Sequence, residues 1–244
     1  MGKFGIAILS QLPIVETRIH RYQRYKKKTL RNAQACLILL PPSSSSSSPL
    51  HGAKKQQSAS KRAIWVVNTH LGCHSGGEQH EQAIELVAFL RSLSQSSSSN
   101  TAHRSTTPNI DIVPLPQIIL CGDFNSPPFF RSMGVIRRAG FVDTWEVGGV
   151  LGNNDQRGGT FPSHGRIPGL PYMFSLMCCC KAPLRRLDYI WVRDESESCA
   201  HECHNSNREG NDNDGIVLKR ACVVKNDVAR CASDHLPIAC YFGV

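Results

Sequence analysis

The chain has no run of 18 apolar residues, which excludes a membrane-spanning helix of ordinary length. Its apolar opening, Phe4 to Val15, is broken by Ser10, Gln11 and Pro13. It has neither a basic leading segment nor a small-residue cleavage site, so it does not read as a secretory signal. No internal repeat is visible. Charge is scarce: charged residues are 19% of the 244 residues against 41% hydrophobic. That balance excludes global disorder and leaves enough apolar surface for a buried core. A paired-cysteine pattern is also lacking. The 11 cysteines are odd in number, and Cys178, Cys179 and Cys180 are consecutive, which suits a disulfide framework poorly. Cys36, Cys73, Cys121, Cys222 and Cys240 lie in or beside apolar runs, where a free thiol packs as a small hydrophobe. A reducing, intracellular compartment, cytoplasmic or nuclear, is the economical expectation. Cys199, His201, Cys203 and His204 have the chemistry of a zinc site but irregular spacing and no second ligand pair.

What is present begins with a localised charge. The net charge is +9, and residues 1–31 supply eight bases (Lys3, Arg18, Arg21, Arg24, Lys26, Lys27, Lys28, Arg31) against one acid, Glu16. The basic character is therefore a local feature and weak support for a nucleic-acid surface on the whole domain. Within it, Arg21-Tyr22-Gln23-Arg24-Tyr25 interleaves bases with tyrosines. That pattern suits an extended nucleic-acid backbone, the run suits an anionic lipid surface equally, and a solvated loop between strands explains it without any partner.

Three low-complexity segments, 41–60, 94–107 and 201–215, cannot bury enough apolar surface to offset their ordering entropy, and they read as surface insertions. The segments they separate are single strands and helices that cannot fold alone, so 1–244 is expected to form one domain. Strands are expected at Gly5 to Leu9, Ala33 to Leu40 and Ala63 to Thr69, the last two as a hairpin with a swollen turn. Glu78 to Leu93 places Ala83, Leu86, Val87, Leu90 and Leu93 at helical spacing. Gln117 to Cys121 reads as a buried strand, Phe130 to Ala139 as a short helix stopped by Gly140, and Leu187 to Val192, Ile216 to Val224 and Pro237 to Phe242 as strands. Hairpins and helices together predict an α+β fold on a mixed sheet rather than a doubly wound parallel one.

Polar side chains stand abruptly at the ends of these apolar runs: His70 after Ile64 to Val67, Asp123 and Asn125 after Ile118 to Leu120, Asp188 after Leu187, and Asp234 and His235 before Leu236. Strand ends at one rim are where a rigid scaffold presents a site. Each has a structural alternative. His70 and Asp234 serve as turn caps, Asp123 and Asn125 as turn formers before Pro127, and Asp188 as a partner of Arg185 or Arg186.

Taken together and in order, the blocks resemble the endonuclease/exonuclease/phosphatase superfamily with its DNase I-like fold. They are Gly5 to Ile14, Val67-Asn68-Thr69-His70-Leu71, Cys121-Gly122-Asp123-Phe124-Asn125-Ser126, Gly140 to Trp145, Thr160-Phe161-Pro162, Arg186-Leu187-Asp188-Tyr189-Ile190 and Ser233-Asp234-His235-Leu236-Pro237. The resemblance implies a two-sheet mixed β-sandwich flanked by helices, and hydrolysis of phosphodiester or phosphomonoester bonds with Mg²⁺ or Mn²⁺. It implies that Asp123 orients or deprotonates water and that Asn125 and His70 contact the phosphate. It implies further that His235 acts on phosphate oxygens while Asp188 orients it, and that Asp234 is a metal ligand. The chemistry is consistent: phosphoester cleavage needs an activated water and neutralised phosphate oxygens, and hard cations prefer oxygen donors. The family pattern also has an Asn-ending and a Glu-ending strand ahead of the block at Gly5, and the resemblance implies that both side chains bind metal, so two metal-ligand positions are expected to be missing. Their absence reads as a chain holding the C-terminal two-thirds of such a domain. A non-catalytic remnant that binds phosphate-bearing partners is the alternative.

Overall fold

The computed structural model describes residues 5–23, 31–41, 61–95, 112–148, 158–161, 185–193, 217–224 and 235–243. Residues 42–60, 96–107 and 201–215 of the low-complexity segments lie outside them, as do the Cys199–His204 fragment and Asp234. A six-stranded mixed sheet is built from β1 (Ile14–Arg21), β2 (Asn32–Leu39), β3 (Lys61–His70), β4 (Ile112–Asp123), β5 (Val142–Asp143) and β6 (Asp188–Arg193), in the order β1-β2-β3-β4-β6-β5. β3 and β4 are parallel and every other pairing in this sheet is antiparallel. A second, two-stranded sheet pairs β7 (Val217–Val223) with β8 (Ile238–Gly243). Three helices complete the described elements: α1 (Gly76–Gln95), α2 (Arg131–Arg138) and α3 (Thr144–Gly148). The α+β, mixed-sheet expectation is met. No helix among the described residues is long and apolar enough to cross a membrane.

The period of two along each central strand sends alternate side chains to opposite faces. Ala33, Ala35, Leu37, Trp65, Val67, Ile118, Leu120, Tyr189 and Trp191 join one buried cluster with Ala83, Leu86, Val87, Leu90 and Leu93 of α1 and Met133 and Ile136 of α2. Burial of each of those α1 leucines contributes about 1.5–3 kcal/mol. Cys36, Ile38 and Ile64 point the other way, where Ile8, Val66, Ile119 and Phe242 of β8 pack on them. Helices thus cover one face, and the small sheet approaches the other.

α1 opens where the Ser75 hydroxyl accepts the Glu78 amide N–H at 3.1 Å, satisfying one of the orphan donors of the first turn. α2 stops at Gly140, whose φ of +85° is the left-handed conformation that closes a helix. Gly122 has φ of +137°, and a Cβ there would lie 1.9 Å from the Thr69 carbonyl oxygen. Only glycine lets β4 bend against β3 one residue before Asp123.

The strand expected at Gly5 to Leu9 is not formed; the first strand is Ile14–Arg21. The segment touches the sheet at Ala7 and Ile8, where Asn68 Nδ2 donates to the Ala7 carbonyl at 3.0 Å and Ile8 packs on the second cluster. The basic segment begins inside β1 rather than in a loop. Arg18 pairs with Glu16 and lies over the Trp65 ring, and His20 lies 3.3 Å from Glu85 of α1 and stacks on Phe89. Tyr22 is buried, its hydroxyl 2.6 Å from the Thr69 hydroxyl, so this tyrosine is packed into the domain rather than offered to a base.

Candidate active site

Parallel strands bring their C-terminal ends to the same rim, and an antiparallel neighbour brings its N-terminal end there. β3 therefore ends at His70, β4 ends at Asp123 and β6 begins at Asp188 on one edge. The register places them opposite one another, His70 against Asp123 and Asp123 against Asp188. Residues on one rung point to the same face, here the face opposite α1. His235, three residues before β8, reaches this rung from the second sheet. Its Nδ1 is 2.7 Å from Asp188 Oδ2 and its Nε2 is 4.0 Å from Asp123 Oδ2. His70 Nε2 lies 3.3 Å from the same Asp123 oxygen. Asp188 does not take the structural alternative of pairing with its own neighbour: the Arg186 guanidinium goes to Asp143 at 2.8 Å.

Asn125 sits just beyond the rung in a left-handed turn, φ +47°. Its amide N–H is donated to Asp123 Oδ1 at 2.8 Å, and its side-chain Nδ2 donates to the Leu71 carbonyl at 2.9 Å. Gln79 of α1 donates to the Asn125 carbonyl at 2.7 Å. The turn-forming reading is therefore realised in full, and it is also what fixes the Asp123 carboxylate. One hydrogen of the Asn125 amide is committed to Leu71, and the nitrogen carries a second.

The electrostatics follow from burying like charges together. Burial, then the Asp188 carboxylate, raises the Asp123 pKa from 3.8 to about 6, against the Asn125 N–H, His235 and Arg31. Burial, then the Arg31 charge, lowers His70 from 6.5 to about 4, so its imidazole is neutral at pH 7. Arg31 carries no site signal in the sequence, where it is only the last base of the N-terminal cluster. It precedes β2 at this rim and its charge acts on both groups. Ligand atoms of Asp123, Asp188 and His235 all lie within 4.8 Å of one another.

Two further residues of the family-like blocks stand beside the site. Thr160 and Phe161 lie between the segments carrying Asp188 and His235, and the Phe161 and His235 rings are 4.8 Å apart. Neither stands at the end of an apolar run, the signal that found the others.

Residues 1–235 match the Endonuclease/Exonuclease/phosphatase family. The chain belongs to that family. Its fold is similar to that of a conserved protein of unknown function from Enterococcus faecalis, at 14% identity and a TM-score of 0.52, with 95% of this chain and 67% of that chain covered. It is also similar to an endonuclease/exonuclease/phosphatase family protein from Bacteroides thetaiotaomicron, at 15% identity and a TM-score of 0.51, with 95% of this chain and 63% of that chain covered. This chain thus spans about two thirds of the length of these solved chains. No curated protein matches the sequence. As a family member, the chain has a phosphodiesterase- or nuclease-type fold.

Proposed function

We propose that the strand-end cluster hydrolyses phosphate esters, phosphodiester or phosphomonoester, with a hard divalent cation, Mg²⁺ or Mn²⁺. The observation that carries this reading is the rung itself. His70, Asp123 and Asp188 stand in register on three adjacent strands, and His235 closes on them from the second sheet.

The donor chemistry fits a cation. Two carboxylates share a half-buried rim, and the proton affinity of Asp123 is raised partly by the charge of Asp188. A positive ion between such groups relieves the repulsion and meets the oxygen preference of Mg²⁺. Asp123 and Asp188 are the described carboxylates that would hold it, and Asp234 is the residue the family resemblance adds. When bound, the cation supplies charge neutralisation at phosphate oxygens and a more acidic water.

The side chains have separate tasks in this reading. Asp123, fixed through Oδ1 by the Asn125 N–H, presents Oδ2 as proton acceptor for the attacking water. Asp188 accepts a hydrogen bond from the Nδ1–H of His235, which holds the ring so that Nε2, once it carries a proton, donates to a phosphate oxygen. The neutral imidazole of His70 offers one hydrogen bond without competing for the positive charge. Asn125 contributes its second amide hydrogen to the phosphate. The N-terminal bases suit an anionic partner, a nucleic-acid backbone or a lipid surface, and the site's own geometry is common to both.

Bis(4-nitrophenyl) phosphate tests the reading. Turnover is expected with Mg²⁺ or Mn²⁺, lost on chelation, restored by adding the cation back, and lowered by about 10²–10⁴-fold in His235→Ala. Turnover that is indifferent to chelation, or unchanged in His235→Ala, contradicts it. Retained binding of the ester without turnover is the signature of the non-catalytic alternative.

A further inference from the structure

Asp188 opens β6 of the large sheet and His235 precedes β8 of the small one, so their 2.7 Å contact needs the two sheets held in one relative position. Residues 160 and 161 join them. The Thr160 hydroxyl oxygen accepts the backbone N–H of Leu187 at 3.2 Å and of Asp188 at 3.3 Å, while its hydrogen points to the Arg185 carbonyl at 3.5 Å. The Thr160 and Phe161 N–H groups both donate to the Arg185 carbonyl, at 3.0 and 2.9 Å, and Arg185 returns its N–H to Phe161 at 2.6 Å. On the other side, the Thr160 carbonyl accepts the N–H of Leu236, the residue after His235, at 2.7 Å. Thr160 is fully buried. Its path is set by Gly158, where a Cβ would meet the Trp145 ring at 2.5 Å.

We propose that Thr160 is a positioning residue: its hydroxyl and carbonyl clamp the backbones beside Asp188 and His235 so that the carboxylate and imidazole meet. The clamp rests on the assignment of His235 and Asp188 as a working pair. The hydroxyl is the specific element, because the backbone bonds of residues 160 and 161 survive any side chain, whereas two N–H groups at the start of β6 lose their acceptor without it. A buried amide left unpaired seeks another partner, and the first residues of β6 shift to find one. Phe161 rests on the His235 ring and limits its rotation, which makes the pair sensitive to small displacements of this segment.

The test uses the whole chain and two readouts. The first is the proton resonance of His235 Nδ1, which a 2.7 Å bond to a carboxylate moves downfield and protects from exchange. The second is turnover of bis(4-nitrophenyl) phosphate with Mg²⁺. In Thr160→Val, equal in size and lacking the hydroxyl, the resonance is expected to broaden or vanish. kcat is expected to fall on the order of 10²-fold, the cost of a small misplacement at a catalytic group, with KM little changed. Thr160→Ser, which keeps the oxygen, is expected to retain both. A Thr160→Val protein that keeps the resonance overturns the clamp. So does a Thr160→Ser protein that loses it, and this second comparison stands even if Thr160→Val does not fold. If the parent shows no turnover while the resonance behaves as described, the hydrolytic reading fails and the clamp stands.

Discussion

Asp123→Asn is expected to lower kcat/KM on a generic phosphodiester by about 10³-fold, within the range that loss of a positioned general base costs. The same substitution is expected to raise thermal stability at pH 8 in the absence of divalent cations. The Asp123 carboxyl has a pKa of about 6 in the folded chain against an ordinary 3.8. Between those values the folded chain holds a proton that the unfolded chain has released, so stability falls as pH rises through this window and stays lowered above it. Asparagine cannot ionise and escapes that loss. Added Mg²⁺ is expected to stabilise the parent more than the variant, since only the parent presents the paired carboxylates. His70 acts in the opposite sense. With a pKa lowered to about 4, its share of stability is complete above 6.5 and is lost as pH falls towards 4. Melting curves of the variant from pH 4 to 8 therefore expose the His70 slope without Asp123. Equal turnover in parent and variant, or a lower melting temperature for Asp123→Asn at pH 8, contradicts the assignment.

The largest stability effect is expected at Arg186→Met. Arg186 and Asp143 are both buried, with Arg186 NH2 2.8 Å from Asp143 Oδ2. The contact is an ion pair by distance without hydrogen-bond alignment, and Nε and NH1 of the guanidinium have no hydrogen-bond partner. The guanidinium also lies over the Tyr189 ring at 4.9 Å. Removing one partner of such a pair strands the other charge in the interior and costs about 3–5 kcal/mol. Burial already raises the Asp143 pKa above its ordinary 3.8 despite Arg186. Without the guanidinium the carboxyl takes up a proton more readily, so the penalty is expected to be smaller at pH 5 than at pH 8. Urea unfolding at the two pH values measures this. A loss below about 1 kcal/mol at pH 8 would mean that the pair is worth no more than a surface one. Arg186 immediately precedes Leu187 and Asp188, so its replacement is expected to disturb the start of β6 as well.

Much of the site was legible because its residues interrupt apolar strands. His70, Asp123 and Asp188 are polar groups at positions where a core-forming run ends, and that contrast survives in a single sequence. What the sequence does not carry is register. Nothing in the spacing of residues 70, 123 and 188 says that they fall on one rung. That follows from the parallel pairing of β3 with β4 and the bend permitted at Gly122. β1 is hidden in the sequence for a related reason. An edge strand is stabilised on one side only, and its half-buried residues are Glu16, Arg18 and His20, which are held by ion pairs and ring contacts rather than by apolar alternation. The smoother apolar run from Gly5 looked more like a strand and is instead tethered by the Asn68 side chain. β5 is two residues long, below any periodicity. Thr160 was illegible as a clamp because its partners are backbone groups, which every residue has.

Paramagnetic line broadening by Mn²⁺ tests most directly whether the rung is a cation-holding hydrolytic site. Substoichiometric Mn²⁺ added to the full chain is expected to broaden the ring proton signals of His70 and His235 ahead of those of His20 and His80. Excess Mg²⁺ is expected to reverse the effect, and Asp123→Asn to abolish it. Broadening centred on His20 or His80, or an effect on His70 and His235 that persists unchanged in Asp123→Asn, would contradict the account.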